Sequence, residues 1–495
     1  MIRDPSRIVG LILVMAAWSG AVVLLAPRER DHAAPDFGGA CRDGRPYLVT
    51  ACYAATTGDP APRLPSIVLF RDTAADGPHH MLAGHDRVGA VWGLAYNPAE
   101  RALFAAAFRK RGVALGPGGP GAIYRVDMAT GAVATFATVP DAAAGDLSIA
   151  GDDAAARSEA GRVGLGDVDL DPSVGTLFAV NLHDRRIYAF DMADGRLRTA
   201  FDHGAVGEPW AAEARPFGLG LRGGRLFHAL VRDAGASGDP ADLEARVYSS
   251  AYDGSDMRLE AAVSLGYPRG GLRQAASGEA MDLAWRPWAD AVPPSPADAL
   301  SVGPQPMAAD VVFDAAGNLV LGLRDRLVDM TDPALAAGSE LAIGAGDLLL
   351  ARREDDGWRF APDAPGYDDA IAGSSHSAQG GLAWIASPGA LVSADLGRVP
   401  SLMDGSDLRA TWYDGVGGQK QAAESVCPSG QVLPSLWADP ERASAPPVRR
   451  ALADTTTFSA PRTAGDVEAL CDAEGESERT EPGARLWLPW SGLGR

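Results

Sequence analysis

Gly166-Asp-Val-Asp-Leu-Asp-Pro172, Thr176-Leu-Phe-Ala-Val-Asn-Leu182, Arg186-Ile-Tyr-Ala-Phe-Asp191 and Arg196-Leu-Arg-Thr-Ala-Phe201 follow one another with short gaps. Each run has the length of a strand, and turn-forming residues separate it from the next. The third run closes in Asp-x-x-x-Gly, a turn signal. The same four-part pattern runs through Trp92-Gly-Leu-Ala-Tyr-Asn-Pro98, Ala102-Leu-Phe-Ala-Ala-Ala-Phe108, Ala122-Ile-Tyr-Arg-Val-Asp127 and Ala132-Val-Ala-Thr-Phe136. Weaker copies start at Pro216, Ala309 and Gly380, and Tyr47 to Met81 supplies a partial one. Four-strand units repeating at irregular intervals of roughly 50 to 90 residues predict an all-β fold, a β-propeller with loop insertions. Six blades fit best and seven is the alternative. A sandwich leaves the internal repeat unexplained.

Working outward, residues 141–160, 235–242 and 292–306 read as surface insertions. The third is Pro-rich and follows Trp285-Arg-Pro-Trp288. The expected organisation is a signal peptide or N-terminal anchor over 1–26, a linker over 27–39, the propeller over 40–427 and a polar tail over 428–495, partly packed on the propeller. Gly (59) and Pro (36) make about a fifth of the 495 residues, which means many turns and argues against long helical bundles. The net charge is −20, from 64 acidic and 44 basic residues. That balance excludes general nucleic-acid binding, which needs a basic footprint.

Ile8 to Ala26 is an apolar run of 19 residues with Arg3 and Arg7 before it. It is long enough to span a bilayer with its N-terminal side in the cytoplasm. A cleaved signal ending near Ser19-Gly-Ala21 is the other reading, and anchor is placed ahead of cleavage. Both mean export, to the cell envelope as a membrane-anchored protein or as a secreted one. Four cysteines, Cys41, Cys52, Cys427 and Cys471, suit an oxidising compartment. Local pairing, Cys41 with Cys52 and Cys427 with Cys471, is the simplest connectivity, whereas pairing across the termini would staple a closed ring.

Aligning the copies gives a column near the start of each innermost strand: Gly93, Asp167, Gly218, Asp310 and Gly381. A second column falls just past the next strand: Arg109-Lys-Arg111, His183-Asp184-Arg185, Arg232-Asp233 and Arg324-Asp325-Arg326. Antiparallel pairing brings both columns to one face of the ring, around one mouth of the central channel. The candidate ligand-binding residues are therefore Arg109, Arg111, His183, Asp184, Arg185, Arg232, Arg324, Asp325 and Arg326. Their guanidinium groups suit carboxylate or phosphate. Asp167, Asp169 and Asp310 are the candidate ligands of a hard cation, calcium, which takes oxygen donors. Ion pairs tying neighbouring blades together account for the same residues.

Several motifs fail on context. Gly218-Leu-Gly220-Leu-Arg-Gly223 matches a dinucleotide fingerprint, but a strand follows where a helix is needed. Asp167-x-Asp169-x-Asp171 has Pro172 where a calcium loop needs Gly and Phe178 where it needs Glu. His376 reads as a loop histidine, and Trp285 and Trp288 as caps on a blade.

Taken in order, Trp92-Gly-Leu-Ala-Tyr-Asn-Pro98, Leu165-Gly-Asp-Val-Asp169, Asn181-Leu-His-Asp-Arg185, Arg215-Pro-Phe-Gly-Leu219, Tyr267-Pro-Arg-Gly270, Trp285-Arg-Pro-Trp288, Leu321-Gly-Leu-Arg-Asp-Arg326, Gly346-Asp-Leu-Leu349 and Gly465-Asp-Val-Glu-Ala-Leu-Cys471 resemble a known group. It comprises uncharacterised bacterial exported β-propellers found ahead of serine-aspartate-repeat-adhesin-type B modules. The resemblance covers about residues 40 to 472 and implies a surface role with no assigned reaction. The B modules are absent beyond Cys471, which adds weight to the N-terminal anchor. The expectation is a binding or interaction module at the envelope, with an envelope protein or glycan as partner. The membrane is reached through the N-terminal segment. The alternative is a calcium-dependent hydrolase of the six-bladed lactonase or phosphoesterase type.

Overall fold

The computed structural model describes residues 35–43, 45–53, 64–71, 80–144, 147, 154–269, 271–273, 280–291, 303–331, 345–355, 357–360, 378–385, 390–396, 408–414, 420–425 and 464–471. The N-terminal apolar run and His376 lie outside them. Among the described residues no helix is long and apolar enough to cross a membrane.

These residues form six four-stranded sheets and a two-stranded ribbon. The first sheet takes β1 (Tyr47–Cys52), β2 (Pro65–Arg71) and β3 (His80–Gly84) from the start of the chain. The second is β4 (Val91–Asn97), β5 (Ala102–Ala107), β6 (Ala122–Asp127) and β7 (Val133–Thr138). The third is β8 (Leu165–Asp171), β9 (Thr176–Asn181), β10 (Arg186–Asp191) and β11 (Leu197–Asp202). The fourth is β12 (Ala214–Arg222), β13 (Arg225–Arg232), β14 (Glu244–Ser250) and β15 (Arg258–Ser264). The ribbon pairs β16 (Gly271–Arg273) with β17 (Ala280–Asp282). The fifth sheet is β18 (Pro306–Phe313), β19 (Leu319–Asp325), β20 (Asp347–Glu354) and β21 (Gly357–Phe360). The sixth is β22 (Ala378–Ile385), β23 (Ala390–Leu396), β24 (Leu408–Asp414) and β25 (Lys420–Ser425). Finally β26 (Ala464–Ala469) pairs antiparallel with β1 and becomes the innermost strand of the first sheet.

The innermost strands touch in the closed order β26, β4, β8, β12, β18, β22 and back to β26. This is a β-propeller. The stretch read as tail thus contributes a strand to the ring. Local cysteine pairing is overturned: Cys41 is bonded to Cys471, across the termini. Cys52 is also disulfide-bonded, and Cys427 lies outside the described residues.

Blade packing explains the strand compositions. The sheets stack face to face, so middle strands such as β5 and β9 are buried along their whole length. They read as continuous apolar runs instead of alternating ones. The outer strands are open to solvent: β11 has one buried residue, and β15 alternates buried and exposed residues in its second half. One apolar cluster joins the first and second sheets through Val49, Ile67, Leu94 and Leu103. Another joins the second and third through Phe104, Ile123, Leu165 and Leu177. The largest runs across the third, fourth and fifth sheets. The Asp-x-x-x-Gly motif is the hairpin between third and fourth strands. Asp127 Oδ1 accepts from the Ala129 and Thr130 amides at 2.9 and 2.8 Å. Gly131 then takes φ 71°, the left-handed region that favours glycine.

Candidate functional site: the axial channel and its plug

Every innermost strand carries a register irregularity at the position of the small-or-acidic column. The breaks fall between Val91 and Leu94, Leu165 and Val168, Pro216 and Leu219, Ala308 and Asp310, and Ala378 and Leu382. The first sheet breaks where β26 passes β1, between Thr50 and Cys52. A bulge takes a residue out of the ladder and turns its amide elsewhere. Here the turned amides meet carboxylates on the neighbouring blade. Leu94 N donates to Asp466 Oδ2 (2.9 Å), Leu219 N to Asp167 Oδ2 (2.9 Å) and Leu382 N to Asp310 Oδ2 (2.7 Å). The second oxygen of Asp167 and of Asp466 accepts from the next amide of its own strand, Val168 at 2.8 Å and Val467 at 2.7 Å.

Around the ring the column therefore alternates Asp466, Gly93, Asp167, Gly218, Asp310, Gly381. The glycines are required by close approach. A Cβ on Gly93 would stand 2.4 Å from Val168 N, one on Gly218 2.6 Å from Asp310 N, and one on Gly381 2.5 Å from Asp466 Cα. Asp466 is the functional-column residue that sequence reasoning missed. Its signal was present, because Gly465-Asp-Val-Glu468 repeats Gly166-Asp-Val-Asp169.

Burial pushes the carboxyls of Asp167 and Asp310 well above the usual carboxylate range, and the charge of Asp466 adds to it. Asp466 is raised by the same burial and shares a side-chain hydrogen bond with Asp310. Two residues along the wall, Asp169 is pushed up to about 7, chiefly by burial. Glu468 is raised by burial and by the charges of Asp466 and Asp169. Both are half-buried by surface area. Like-charged neighbours and confinement in the channel explain why this contact with solvent does not restore ordinary acidity.

Among the described residues no three His, Cys, Asp or Glu side chains are arranged to hold a metal ion. Asp167 turns both oxygens to blade amides, Asp310 gives one oxygen to the Leu382 amide and shares a hydrogen bond with the Asp466 side chain, and Asp169 accepts from Leu170 N at 2.7 Å.

The charged clusters of the second column separate into two groups. Arg109, Arg111, Arg324, Asp325 and Arg326 are buried and form a plug. The short helix Leu327–Met330 follows β19, and the loop 108–113 follows β5, on the blade three places round the ring. They meet across the channel mouth. Arg111 N donates to Asp329 O (3.0 Å), and Lys110 Nζ donates to Val328 O (2.6 Å). Arg324 holds both Asp329 oxygens at 2.6 Å and lies over the Trp92 ring, 4.5 Å from its centroid. Arg109 Nε donates to Glu159 (2.8 Å) on the helix Ala154–Glu159. Arg326 donates to Ala160 O and Gln305 Oε1 at 2.7 and 2.8 Å and covers the Trp288 ring. Asp325 accepts from the Gln305 and Leu327 amides, and burial raises its carboxyl to about 6.

The other group lies further out. His183 shares a hydrogen bond with Asp141 O at 2.9 Å, and Asp184 accepts from the Tyr188 hydroxyl. Arg185 donates to the carbonyls of Ala211 and Ala212, both at 3.0 Å. Arg232 bridges Glu213 and Asp242 at 2.9 and 2.7 Å. Trp285 and Trp288 are buried, and Arg269 stacks 3.7 Å above Trp285.

No family model matches the chain. It is similar to Colossin-B of Dictyostelium discoideum, 23% identical over 332 residues, which covers 63% of this chain and 8% of that protein. It is also similar to Colossin-A of the same organism, 25% identical over 305 residues, covering 57% of this chain and 3% of that protein. The chain thus spans less than a tenth of the length of these relatives. Among solved structures, a chain of the nidogen/laminin complex is 11% identical with a TM-score of 0.38, covering 86% of this chain and 98% of that one. The periplasmic gluconolactonase PpgL of Pseudomonas aeruginosa is 15% identical with a TM-score of 0.33, covering 77% and 96%. Likenesses of this depth say nothing about activity.

Proposed function

We propose that the chain is an exported β-propeller that serves as a binding module at the cell envelope, tethered through its N-terminal apolar run. The observation that carries this reading is the plug. The channel mouth is filled by the protein's own Arg324 and Lys110, both paired with Asp329, and all three are buried. A substrate entering there would have to break a buried ion pair, which costs about 3–5 kcal/mol when one partner is lost. Binding on the outer faces of the blades has no such cost. The Cys41–Cys471 bond supports export, because such bonds persist in oxidising compartments. An envelope protein or glycan is the partner class that fits this location.

The calcium-dependent hydrolase reading asks the same carboxylates to leave their amides. Thermal unfolding of the full chain in millimolar calcium and in chelator separates the two. A ligand bound only by the folded state at a hundred times its dissociation constant adds about 2.7 kcal/mol. The binding-module reading expects one midpoint in both buffers. A rise with calcium that disappears in Asp167→Asn would overturn it in favour of a cation site.

A further inference from the structure

Cys52 is disulfide-bonded and 1% exposed. The chain has four cysteines, and Cys41 and Cys471 are bonded to each other. Thiol–disulfide exchange needs access to the sulfur, so burial closes Cys52 to a cysteine of another molecule. Within the chain that leaves Cys427. The strand register points the same way. Cys52 ends β1 opposite Ala464, the first residue of β26. In the sixth sheet Ala378, the first residue of β22, stands in one row with Asp395, Arg409 and Ser425. A Cβ on Gly381 of β22 would stand 2.5 Å from Asp466 Cα of β26, and both residues lie close to the start of their strands. The two strand starts, and with them Cys52 and Ser425, therefore share one face of the ring. Ser425 is the last residue of β25 and comes two residues before Cys427 in the sequence. The surroundings of Cys52 also belong to the seam between these blades. It packs with Val68 and Phe70 of the first sheet and with Ala383, Ile385 and Val392 of the sixth. A bridge needs its Cα atoms within about 7 Å, which a partner arriving from a distant blade would not meet.

We infer that Cys52 is bonded to Cys427, and that the two disulfides together latch the seam of the ring. β26 lies between Cys427 and Cys471 in the sequence, so the bonds anchor the seam strand to the first blade from both sides, at Cys52 and at Cys41. The bond forms by exchange with a disulfide oxidant such as oxidised glutathione. The two protein thiols give up two protons and two electrons, and the oxidant leaves as two thiols. The inference rests on burial and connectivity, and on neither export nor the binding role. Reduced full chain, reoxidised in a glutathione buffer, alkylated and digested with trypsin without reduction, tests it by mass spectrometry. Cleavage after Arg42, Lys420 and Arg462 places the four cysteines on four peptides. The expected result is a Cys52–Cys427 pair beside Cys41–Cys471. Absence of that pair, with Cys52 alkylated or joined elsewhere, would overturn the inference. In Cys427→Ser, the thiol of Cys52 should react with a thiol reagent in denaturant and stay unreactive in the native protein. Rapid reaction in the native protein would remove the burial on which the elimination stands. The latch has its own readout. Removing both bonds should lower the unfolding midpoint further than Cys41→Ser/Cys471→Ser does, and equal midpoints would show that the second bond does not hold the seam.

Discussion

Asp169 holds a proton in the folded protein up to about pH 7, whereas an unfolded chain releases it near 4. A carboxyl raised on folding stabilises fully below its unfolded value, and that contribution is lost as pH rises through the folded one. Asp167, Asp310, Asp466 and Glu468 shift in the same direction. Three histidines oppose them. Burial lowers His85 and His203 to about 4 and His228 to about 3. Their contribution is present above the unfolded value and disappears as pH falls toward 4 and below. Wild-type stability between pH 4 and 7 is the sum of opposed slopes, so its profile alone isolates neither. Asp169→Asn isolates one, because an amide keeps the acceptor for Leu170 N and has no proton to lose. The variant's advantage in unfolding midpoint over wild type should grow from about pH 5 to about pH 8. An advantage of equal size at both ends of that range would mean that Asp169 does not titrate in it.

At the scale of the strand, the bulge and its neighbour's glycine act together. Gly218→Ala would place a methyl 2.6 Å from Asp310 N, a backbone atom that cannot move without disturbing the Asp310–Leu382 bond. Overpacking of this kind costs typically about 1–3 kcal/mol. Gly207→Ala is the control, since a Cβ there meets nothing within 4 Å. Chemical denaturation should show a clear loss for the first and a small change for the second, and similar losses for both would remove the close approach from the account. The same element shows what the sequence could convey. The four-strand period and the Asp-x-x-x-Gly hairpin are local, so Asp127 to Gly131 and Asp191 to Gly195 were legible. The column Gly93, Asp167, Gly218, Asp310, Gly381 was legible too, because repeats align. Its meaning was not: that Asp167 bonds Leu219 depends on a bulge turning an amide toward another blade. Arg324, Asp325 and Arg326 read as ligand-binding residues at a channel mouth for a similar reason, and Asp329 carried no signal. No local signal tells that a loop from β5 and a helix after β19 meet over the axis.

The whole ring depends on β26. It supplies the inner strand of the first sheet and also Asp466, which takes the Leu94 amide of the second blade. It ends two residues before Cys471, whose partner Cys41 lies on the short helix Phe37–Arg42 ahead of β1. The bond thus holds the first and last described segments of the propeller in register, across a sequence separation of 430 residues. Cross-links closing long loops stabilise by about 2–4 kcal/mol as a rule, and a second bond at Cys52 shares the effect here. Cys41→Ser/Cys471→Ser should therefore lower the unfolding midpoint without abolishing the fold. The distribution of the loss is the sharper test. Freed of its tether, β26 is held by one strand partner, β1, and by its contacts with the blades on either side. Amide hydrogen exchange in Ala464–Ala469 should accelerate most, followed by β1, while β9 and β13 stay near wild-type protection. Because Asp466 leaves with the strand, Leu94 N should lose protection as well, on a blade the disulfide does not touch. Uniform acceleration across all blades would show instead that the bond acts on the unfolded chain alone, and that the ring does not open at its seam.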